Sequence, residues 1–387
     1  MAKHRTIAVV IDLEWTYQHH HGIYQGIQEF ARQNKHWNCF LSPWLDGTDL
    51  SEKRLAGRPI DGIVARATSQ MAADAKRRKI PIVNVQMGAP VPNVSVVQPD
   101  RFAVGQIAAE HLVARGFRRF AYLGFRACMC TKTQLQGFRQ TLANYDLKSS
   151  AMITGHNFSS DPDKWKQFVD SMGRVIRSWD APVGVNVTID LLGRYFIEVC
   201  QRHGLRVPED VAVVGTQNEQ VLCLQGDPTM TSIDLGYPRV GYRAAALLDQ
   251  MMDGLAPPSE PILVEPKELI ARQSTDALAV DDPLVAKALE FISQHSHEPI
   301  DVEDIAKGVA TTRRTLERRF ESTLQRGVGQ EITRMRIERV KRQLVETNTP
   351  LKILVGESGF TDEKQMSRTF ARLTGVTPGA YRNKRRK

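Results

Sequence analysis

The sequence lacks any long apolar run, any regular cysteine pattern and any of the common catalytic motifs. Its first apolar stretch, Ile7–Ile11, is too short for a signal sequence or a membrane-spanning helix. No P-loop, G-x-G-x-x-G after a strand, G-x-S-x-G or H-E-x-x-H motif is present, so we predict no catalytic residue and no cofactor. The spacing of the five cysteines matches no disulfide framework, so we expect them to be free thiols in a cytoplasmic protein. They are Cys39, Cys128, Cys130, Cys200 and Cys223.

The spacing of cysteine and histidine also argues against a metal site. Cys128 and Cys130 are separated by one residue rather than the two of a Cys-x-x-Cys pair. His19, His20 and His21 are adjacent and therefore point in different directions. We expect no bound metal.

Positive charge is concentrated at the carboxyl end of the chain. The 387 residues carry a net charge of +9, yet residues 285–387 hold 21 Lys and Arg against 13 Asp and Glu, while the rest holds 31 against 30. A near-neutral body is thus followed by a basic module. This asymmetry favours a polyanionic partner, and the helical pattern of the module favours duplex DNA over a membrane.

The body alternates short β-branched runs with amphipathic segments. The predicted strands are 7–11, 62–64, 82–85, 120–123, 183–187 and 211–214, and the predicted helices include 22–33, 102–115, 133–142 and 191–203. Such alternation predicts parallel sheets with helices on both faces, here in two similar lobes. Ligands bind such sheets beyond the carboxyl ends of their strands.

Nine residues that follow predicted strands are therefore candidate ligand contacts. A ring of planar polar groups beside an aromatic face suits a small sugar. Trp15 either stacks on a pyranose or packs at the lobe surface. The candidate set is Asp12, Trp15, Tyr17, Arg66, Gln86, Arg126, Asp190, Gln217 and Asn218.

A short helix near the carboxyl end has one apolar and one basic face. We expect Asp362 to cap it, Gly375 to end it and Pro378 to prevent its return. Its apolar stripe is Met366, Phe370 and Leu373, and its polar face carries Lys364, Ser367, Arg368 and Arg372. A helix of this kind can enter a major groove.

A similar unit precedes this helix, after an expected linker at residues 276–283. The pattern predicts helices over 284–292 and 302–309, the second capped by Asp301. Thr311 or Thr312 would cap the following helix, which turns Leu316 and Phe320 inward. One long helix, 330–345, connects the units, and Pro350 starts the second. Gly356 should weaken the first helix of that unit by up to about 1 kcal/mol.

Residues 5–275 resemble the sensor domain of LacI/GalR-type repressors, itself similar to periplasmic sugar-binding proteins. The matching stretches are 60–65, 80–85, 94–124, 207–215 and 269–275. The resemblance implies two Rossmann-like lobes joined by three crossovers, the first lobe comprising about 5–115 and the chain after about 240. The family usually has Asp where this chain has Gln217, so either the ligand differs or Asp190 alone accepts from its hydroxyls.

Residues 284–382 resemble the DNA-binding domain of AraC/XylS-type transcription regulators, through TLERRF at 315–320 and the GF…SRTF…GVTPGAYR segment at 359–382. The resemblance implies two recognition helices in successive major-groove segments. Arg318 and Arg368 either contact bases or brace the fold. The DNA-binding candidates, by matched position and at the rim of the same surface, are Arg313, Arg314, Glu317, Arg318, Lys364, Ser367 and Arg368.

The order of these two parts resembles that of the xylose-regulator family. We expect a two-lobed α/β sensor at 1–275, a linker at 276–283 and an all-α tandem helix-turn-helix domain at 284–387. The expected function is a cytoplasmic transcription activator of carbohydrate catabolism genes. It would sense a xylose-like sugar, bind double-stranded operator DNA as a homodimer, contact RNA polymerase as an activator and bind no membrane. The alternatives are an α/β enzyme acting on a sugar-like metabolite with a tethered DNA-binding domain, and a DNA architectural protein with a vestigial sensor.

Overall fold

The computed structural model describes residues 4–13, 18–42, 60–85, 91–126, 128–154, 162–277, 280, 282–324, 326–346 and 349–386. Two parallel α/β sheets occupy the body, and a helical region follows them. This confirms the predicted fold class. None of the helices in these ranges is long and apolar enough to cross a membrane. Within the same ranges, no three His, Cys, Asp or Glu side chains group in a way that would hold a metal ion.

The first sheet has the strand order β11-β5-β4-β3-β1-β2, with all neighbours parallel. Val9 of β1 lies opposite Leu41 on one side and Val64 on the other, so the carboxyl ends of the central strands are level. The strands are β1 Arg5–Val10, β2 Trp37–Leu41, β3 Gly62–Ala65, β4 Ile82–Asn84, β5 Ser95–Pro99 and β11 Ile262–Val264.

The second sheet has the order β12-β10-β9-β8-β6-β7 and is parallel except where β10 meets β12. Its central strands β8 and β9 are buried along their whole length, as expected of β-branched runs covered on both faces. The strands are β6 Arg119–Phe125, β7 Ser149–Thr154, β8 Val183–Val187, β9 Val211–Thr216, β10 Thr231–Asp234 and β12 Glu268–Ile270.

The chain passes between the sheets three times, after β5, after β10 and after β11. The three crossovers match the expectation. The assignment of the whole chain after about 240 to the first lobe is wrong in part, because β12 pairs antiparallel with β10 in the second sheet. The helices of the body are α1 Gln18–Gln33, α2 Ser69–Arg78, α3 Arg101–Ala114, α4 Met129–Ala143, α5 Pro162–Arg177, α6 Asp190–Arg202, α7 Gln220–Leu224 and α8 Tyr237–Met252.

Helices α3 and α4 pack with their backbones close together. A Cβ atom at Gly105 of α3 would lie 2.5 Å from the amide nitrogen of Phe138 and closer still to the carbonyl oxygen of Gln134. Only glycine fits there, because neither backbone group can move aside. This packing anchors the amino end of α3, which reaches the candidate site.

The helical region has two hydrophobic cores that share one helix. Ile332 and Met335 of α12 belong to the first core, and Val340 and Leu344 belong to the second. The shared helix therefore sets the distance between the two units. The helices are α9 Pro283–His295, α10 Val302–Gly308, α11 Arg313–Leu324, α12 Val328–Glu346, α13 Leu351–Glu357, α14 Glu363–Thr374 and α15 Pro378–Arg386.

The predicted caps of this region are present, with two corrections. The Asp301 and Asp362 side chains accept from the first-turn amides of α10 and α14, and Gly375 adopts φ 76° at the end of α14. Leu373, expected on the buried stripe, is 52% exposed because the stripe ends with Phe370. Pro378 does not only prevent α14 from continuing. It is also the first residue of α15, a position where the backbone amide has no partner within the helix, so its missing proton costs nothing.

The expectation of free thiols is wrong for one pair. Cys128 and Cys130 are joined by a disulfide at the start of α4. Cys39, Cys200 and Cys223 are free thiols, the last two buried.

Candidate functional site

Two crossovers place side chains between the lobes. Arg101 begins α3 directly after β5, with Asp100 capping the helix by accepting from the Ala103 amide at 3.0 Å. Tyr237 begins α8 directly after β10, and Gly236 before it adopts φ 65°. Both helices therefore start at the carboxyl edge of a sheet, where such folds bind ligands.

Residues of both lobes meet around Tyr237. Its ring centroid lies 5.3 Å from that of His19 on α1, and its hydroxyl accepts from Gln217 Nε2 at 3.3 Å. Burial, together with the nearby positive charges of His20, Arg101 and Arg66, lowers the pKa of His19 to about 3. We call His19, Arg66, Arg101, Gln217 and Tyr237 the cleft cluster.

Arg101 rests on a buried polar floor in the second lobe. Its Nη1 donates to Gln134 Oε1 at 3.4 Å and to the Thr188 carbonyl at 3.5 Å. Gln134 Nε2 in turn donates to Asn186 Oδ1 and to Thr216 Oγ1, both at 3.0 Å. Gln134 thus links Arg101 to Asn186 and Thr216 through buried hydrogen bonds, and this network holds the guanidinium in a defined place.

Asp190 is buried beneath this edge and is engaged by the protein itself. Its Oδ1 accepts from Ser232 Oγ at 2.6 Å, and its Oδ2 accepts from the Glu219 amide at 2.7 Å. Burial raises the pKa of Asp190 to about 6, although these hydrogen bonds oppose the rise. Asp190 therefore fastens the segment after β9 to β10. Its predicted contact with a ligand stays a prediction.

Gln217 and Asn218 follow β9 in left-handed backbone conformations, with φ 114° and 56°. The Asn218 amide donates to Ser232 Oγ at 3.0 Å, and its Oδ1 accepts from Arg272 Nη2 at 2.7 Å. Asn218 is thus held inside the lobe, whereas Gln217 reaches Tyr237 in the cleft cluster.

The other ligand candidates are placed as follows. Asp12 follows β1, and its carbonyl contacts His20 Nδ1 at 2.5 Å. Arg66 follows β3 and is half-buried, and Arg126 lies exposed at the end of β6. Trp15, Tyr17 and Gln86 lie outside the described residues.

Sequence reasoning missed three members of the site, His19, Arg101 and Tyr237. Each lies in the first turn of a helix rather than in the loop after a strand. The available signal was Asp100, a recognisable cap directly after a β-branched run, which marks Arg101 as the first helical residue at a sheet edge.

The DNA-binding candidates lie on α11 and α14. Leu316 and Phe320 of α11 and Met366 and Phe370 of α14 are fully buried, so the opposite faces of both helices point outward. Of the candidates, Arg313, Arg314, Arg318, Lys364 and Arg368 are exposed, and Glu317 and Ser367 are half-buried.

Two arginines of α11 have partners within the protein. Arg313 Nε donates to Glu317 Oε1 at 2.9 Å, one turn along the helix. Arg319 Nε contacts Asp282 Oδ2 at 2.7 Å, at the start of α9. Arg319 thus links α11 to the end of the linker.

The body and the helical region are in contact beside the linker. Arg206 Nη1 pairs with Glu290 Oε1 of α9 at 2.9 Å. At the far end of α3, His111 Nε2 contacts Thr275 Oγ1 at 2.9 Å, and Arg115 Nη1 lies 3.8 Å from Asp276 Oδ1. The body therefore contacts α9 directly, and the far end of α3 contacts the start of the linker.

Both the α/β body and the helical region are similar to known proteins. A periplasmic-binding-protein-like domain model matches residues 109–275, and a helix-turn-helix domain model matches residues 305–384. The chain is 24% identical over 373 residues to the xylose operon regulatory protein of Escherichia coli (strain K12), covering 93% of both chains. It is 38% identical over 101 residues to a putative AraC-like transcription regulator of Streptomyces antibioticus, covering 26% of this chain and 33% of that protein.

A solved structure shares the whole architecture. The structure of the xylose-binding transcription activator xylR aligns with a TM-score of 0.70 and 22% identity, covering 99% of this chain and 98% of that one. These relatives are transcription regulators, so the enzyme alternative is set aside. The chain is an AraC-family helix-turn-helix regulator with a periplasmic-binding-protein-like sensor domain, and thus a ligand-responsive DNA-binding transcription regulator.

Proposed function

We propose that this regulator senses a sugar or sugar derivative between its two lobes and activates carbohydrate catabolism genes in response. The observation that supports the proposal is the cleft cluster, where Tyr237 contacts His19 of one lobe and Gln217 of the other. A ligand held between lobes binds the closed form better than the open form and so shifts the population toward closure. Xylose is the first candidate, from the names of the relatives.

The DNA partner is an operator read by α11 and α14. The two helices are fixed by the shared α12, so we propose that they enter successive major-groove segments on one face of the DNA. The protein would act in the cytoplasm as a homodimer on tandem half-sites and, as an activator, contact RNA polymerase. The domain limits 1–275, 276–283 and 284–387 are part of the same proposal.

A thermal-shift screen of the full chain against pentoses and hexoses tests the effector class. A selective ligand raises the melting temperature because it binds the folded state. Operator affinity is then measured by fluorescence anisotropy with and without that sugar, and we expect it to increase. An unchanged melting temperature throughout, with constant operator affinity, would favour the architectural alternative.

A further inference from the structure

The disulfide between Cys128 and Cys130 lies where α4 begins, at the carboxyl edge of the second sheet. The two cysteines are two positions apart, so the bond closes a very short loop. A disulfide stabilises a fold mainly by restricting the unfolded chain, and this effect is small for a short loop. The bond therefore adds little to the stability of the lobe, and its effect is confined to the structure around it.

The disulfide fixes the first turn of α4. Cys128 occupies the N-cap position, and within the described residues its side chain makes no hydrogen bond to that turn. Reduction would not create such a cap, because the sulfur of a thiol is a weak acceptor. The covalent link from Cys128 to Cys130 thus takes the place of a side-chain cap, and its cleavage allows the first turn to fray.

This first turn is adjacent to the polar floor that supports Arg101. Cys130 and Gln134 are four residues apart and both buried, so they lie on the same face of α4. Gln134 Oε1 accepts from Arg101 Nη1 at 3.4 Å. Thr131 lies between them, with its Oγ1 3.2 Å from Thr188 Oγ1, and the Thr188 carbonyl also accepts from Arg101 at 3.5 Å. The disulfide is therefore one helical turn from the contacts that hold Arg101 in the cleft cluster.

The two sulfur atoms differ in exposure, because Cys128 is half-buried whereas Cys130 is 7% exposed. The thiolate of an external dithiol therefore attacks Cys128 Sγ. A bond forms between these two sulfurs, the bond between Cys128 and Cys130 breaks, and Cys130 leaves as a thiolate that takes up a proton. The second thiol of the reductant then displaces Cys128, which is protonated in turn. Two electrons pass to the protein, and the dithiol is oxidised to its own disulfide.

We propose that Cys128 and Cys130 form a redox modification site, in which a dithiol reductant cleaves the disulfide and thereby loosens the first turn of α4 and the floor beneath Arg101. In a reducing cytoplasm, the proposed place of action, the disulfides that form are usually transient and are catalytic or redox-sensing. The oxidised protein holds the floor in place, and the reduced protein releases it. The sensor thus receives a redox signal beside its effector cleft, in addition to the effector.

Hydrogen–deuterium exchange of the full chain, before and after treatment with dithiothreitol, tests the inference. Alkylation followed by mass spectrometry identifies the thiols that form, and we expect new label on Cys128 and Cys130. Exchange in residues 129–134 should become faster by roughly fivefold or more, as for a helix end that has lost its cap, while α6 of the same lobe stays unchanged. Reoxidation with oxidised glutathione should restore slow exchange.

Two variants assign the effect to this pair. Cys128→Ala prevents the disulfide and supplies no cap, so residues 129–134 should exchange fast without reductant and dithiothreitol should change nothing further. Cys39→Ser is the matched control, because Cys39 is a free thiol on β2 of the first sheet. It should respond to dithiothreitol as the wild type does. Reduction of the wild type carries the test if Cys128→Ala does not fold.

Calorimetry with D-xylose in both redox states connects the site to sensing. We expect reduction to weaken binding by roughly threefold or more, because the ligand must then order the floor as it binds. Equal exchange in the oxidised, reduced and Cys128→Ala proteins would overturn the inference, as would equal D-xylose affinity in both states. If D-xylose binds neither state, the proposed effector fails, and the exchange rates alone decide the redox inference.

Discussion

Arg206 of the sensor forms an ion pair with Glu290 of the first helix after the linker, with 2.9 Å between Nη1 and Oε1. Its guanidinium also donates to both carboxylate oxygens of Asp210, at 2.9 and 3.0 Å. Because Asp210 already orders this side chain, the pair with Glu290 costs little further conformational entropy. The contact lines a cavity of about 390 Å³ between the sensor and α9, where the two parts of the chain meet.

Breaking this pair should loosen the junction without unfolding the protein. Both partners are about half exposed, so Glu290→Gln should cost less than about 1 kcal/mol of unfolding free energy. Hydrogen–deuterium exchange should nevertheless become faster in α9. Glu29→Gln, which removes the exposed pair with Arg32 on α1, is the control and should leave α9 unchanged. Equal exchange in α9 of both variants would show that the pair does not hold the junction.

Asp190→Asn should change how stability depends on pH. The folded-state pKa of Asp190, about 6, lies above the ordinary value of 3.8, so the unfolded chain loses this proton first. Between pH 4 and 6 the folded protein holds the extra proton, and the wild type therefore loses stability relative to the variant as pH rises, by up to about 1.4 kcal/mol per pH unit. Urea denaturation at pH 4, 5, 6 and 7 measures this difference; parallel curves for the two proteins would contradict it.

Substitution by alanine should have opposite effects on stability at two glycines that lie in helices. Gly105→Ala forces a Cβ against the backbone of Gln134 and Phe138, and overpacking of this kind costs about 1–3 kcal/mol. Gly356 of α13 has open space around its Cβ position, so Gly356→Ala should stabilise by up to about 1 kcal/mol. Denaturation of each variant and of the wild type gives the sign of the change in unfolding free energy. A loss of stability in Gly356→Ala would mean that α13 needs the flexibility of Gly356.

Arg368 and Arg372 of α14 should differ in their effect on DNA binding. If Arg368 reads a base, Arg368→Ala lowers discrimination between a selected operator and a scrambled duplex by about 1–3 kcal/mol. Arg372 is also exposed on α14. Arg372→Ala should weaken binding to both duplexes equally and reduce the salt dependence of binding, as expected for a phosphate contact. Anisotropy titrations at several salt concentrations separate the two; uniform loss in both variants would assign Arg368 to phosphate as well.

The elements that the sequence predicts well are those defined by local pattern. Strands such as Val183–Val187 are buried β-branched runs, and Asp301 and Asp362 are caps whose function depends on the next three residues. The strands β2, β5, β7 and β10 to β12 were not predicted, mostly because polar residues interrupt their short apolar runs, as in TSID of β10. Leu373 fits the helical period but lies beyond the end of the core.

The cleft could be predicted only in part, because it depends on distant pairings. Gln217 was found as the end of a strand, but its partner Tyr237 and the ring of His19 come from other elements. Asp190 was found by the same rule, yet Ser232, 42 residues further on, determines that its carboxylate faces inward. No local pattern carries that information.

The last prediction concerns the path from cleft to DNA. Helix α3 begins at Arg101 in the cleft and ends near His111 and Arg115, which contact Thr275 and Asp276 at the start of the linker. Its 14 residues span about 21 Å, and the close packing on α4 makes it move with the second lobe. Lobe closure around an effector should therefore displace the linker start.

We expect effector and operator to increase each other's binding affinity by the same factor, with a coupling free energy on the order of 1–3 kcal/mol. Arg115→Gln should reduce this factor while leaving effector affinity without DNA unchanged, because Arg115 lies at the linker end of α3 rather than in the cleft. Arg118→Gln, exposed in the turn after α3, is the control. The measurement is effector affinity with and without operator at fixed salt. If this factor is unchanged in Arg115→Gln, the signal reaches the DNA-binding helices through another contact. The Arg206–Glu290 pair would then be the next contact to test.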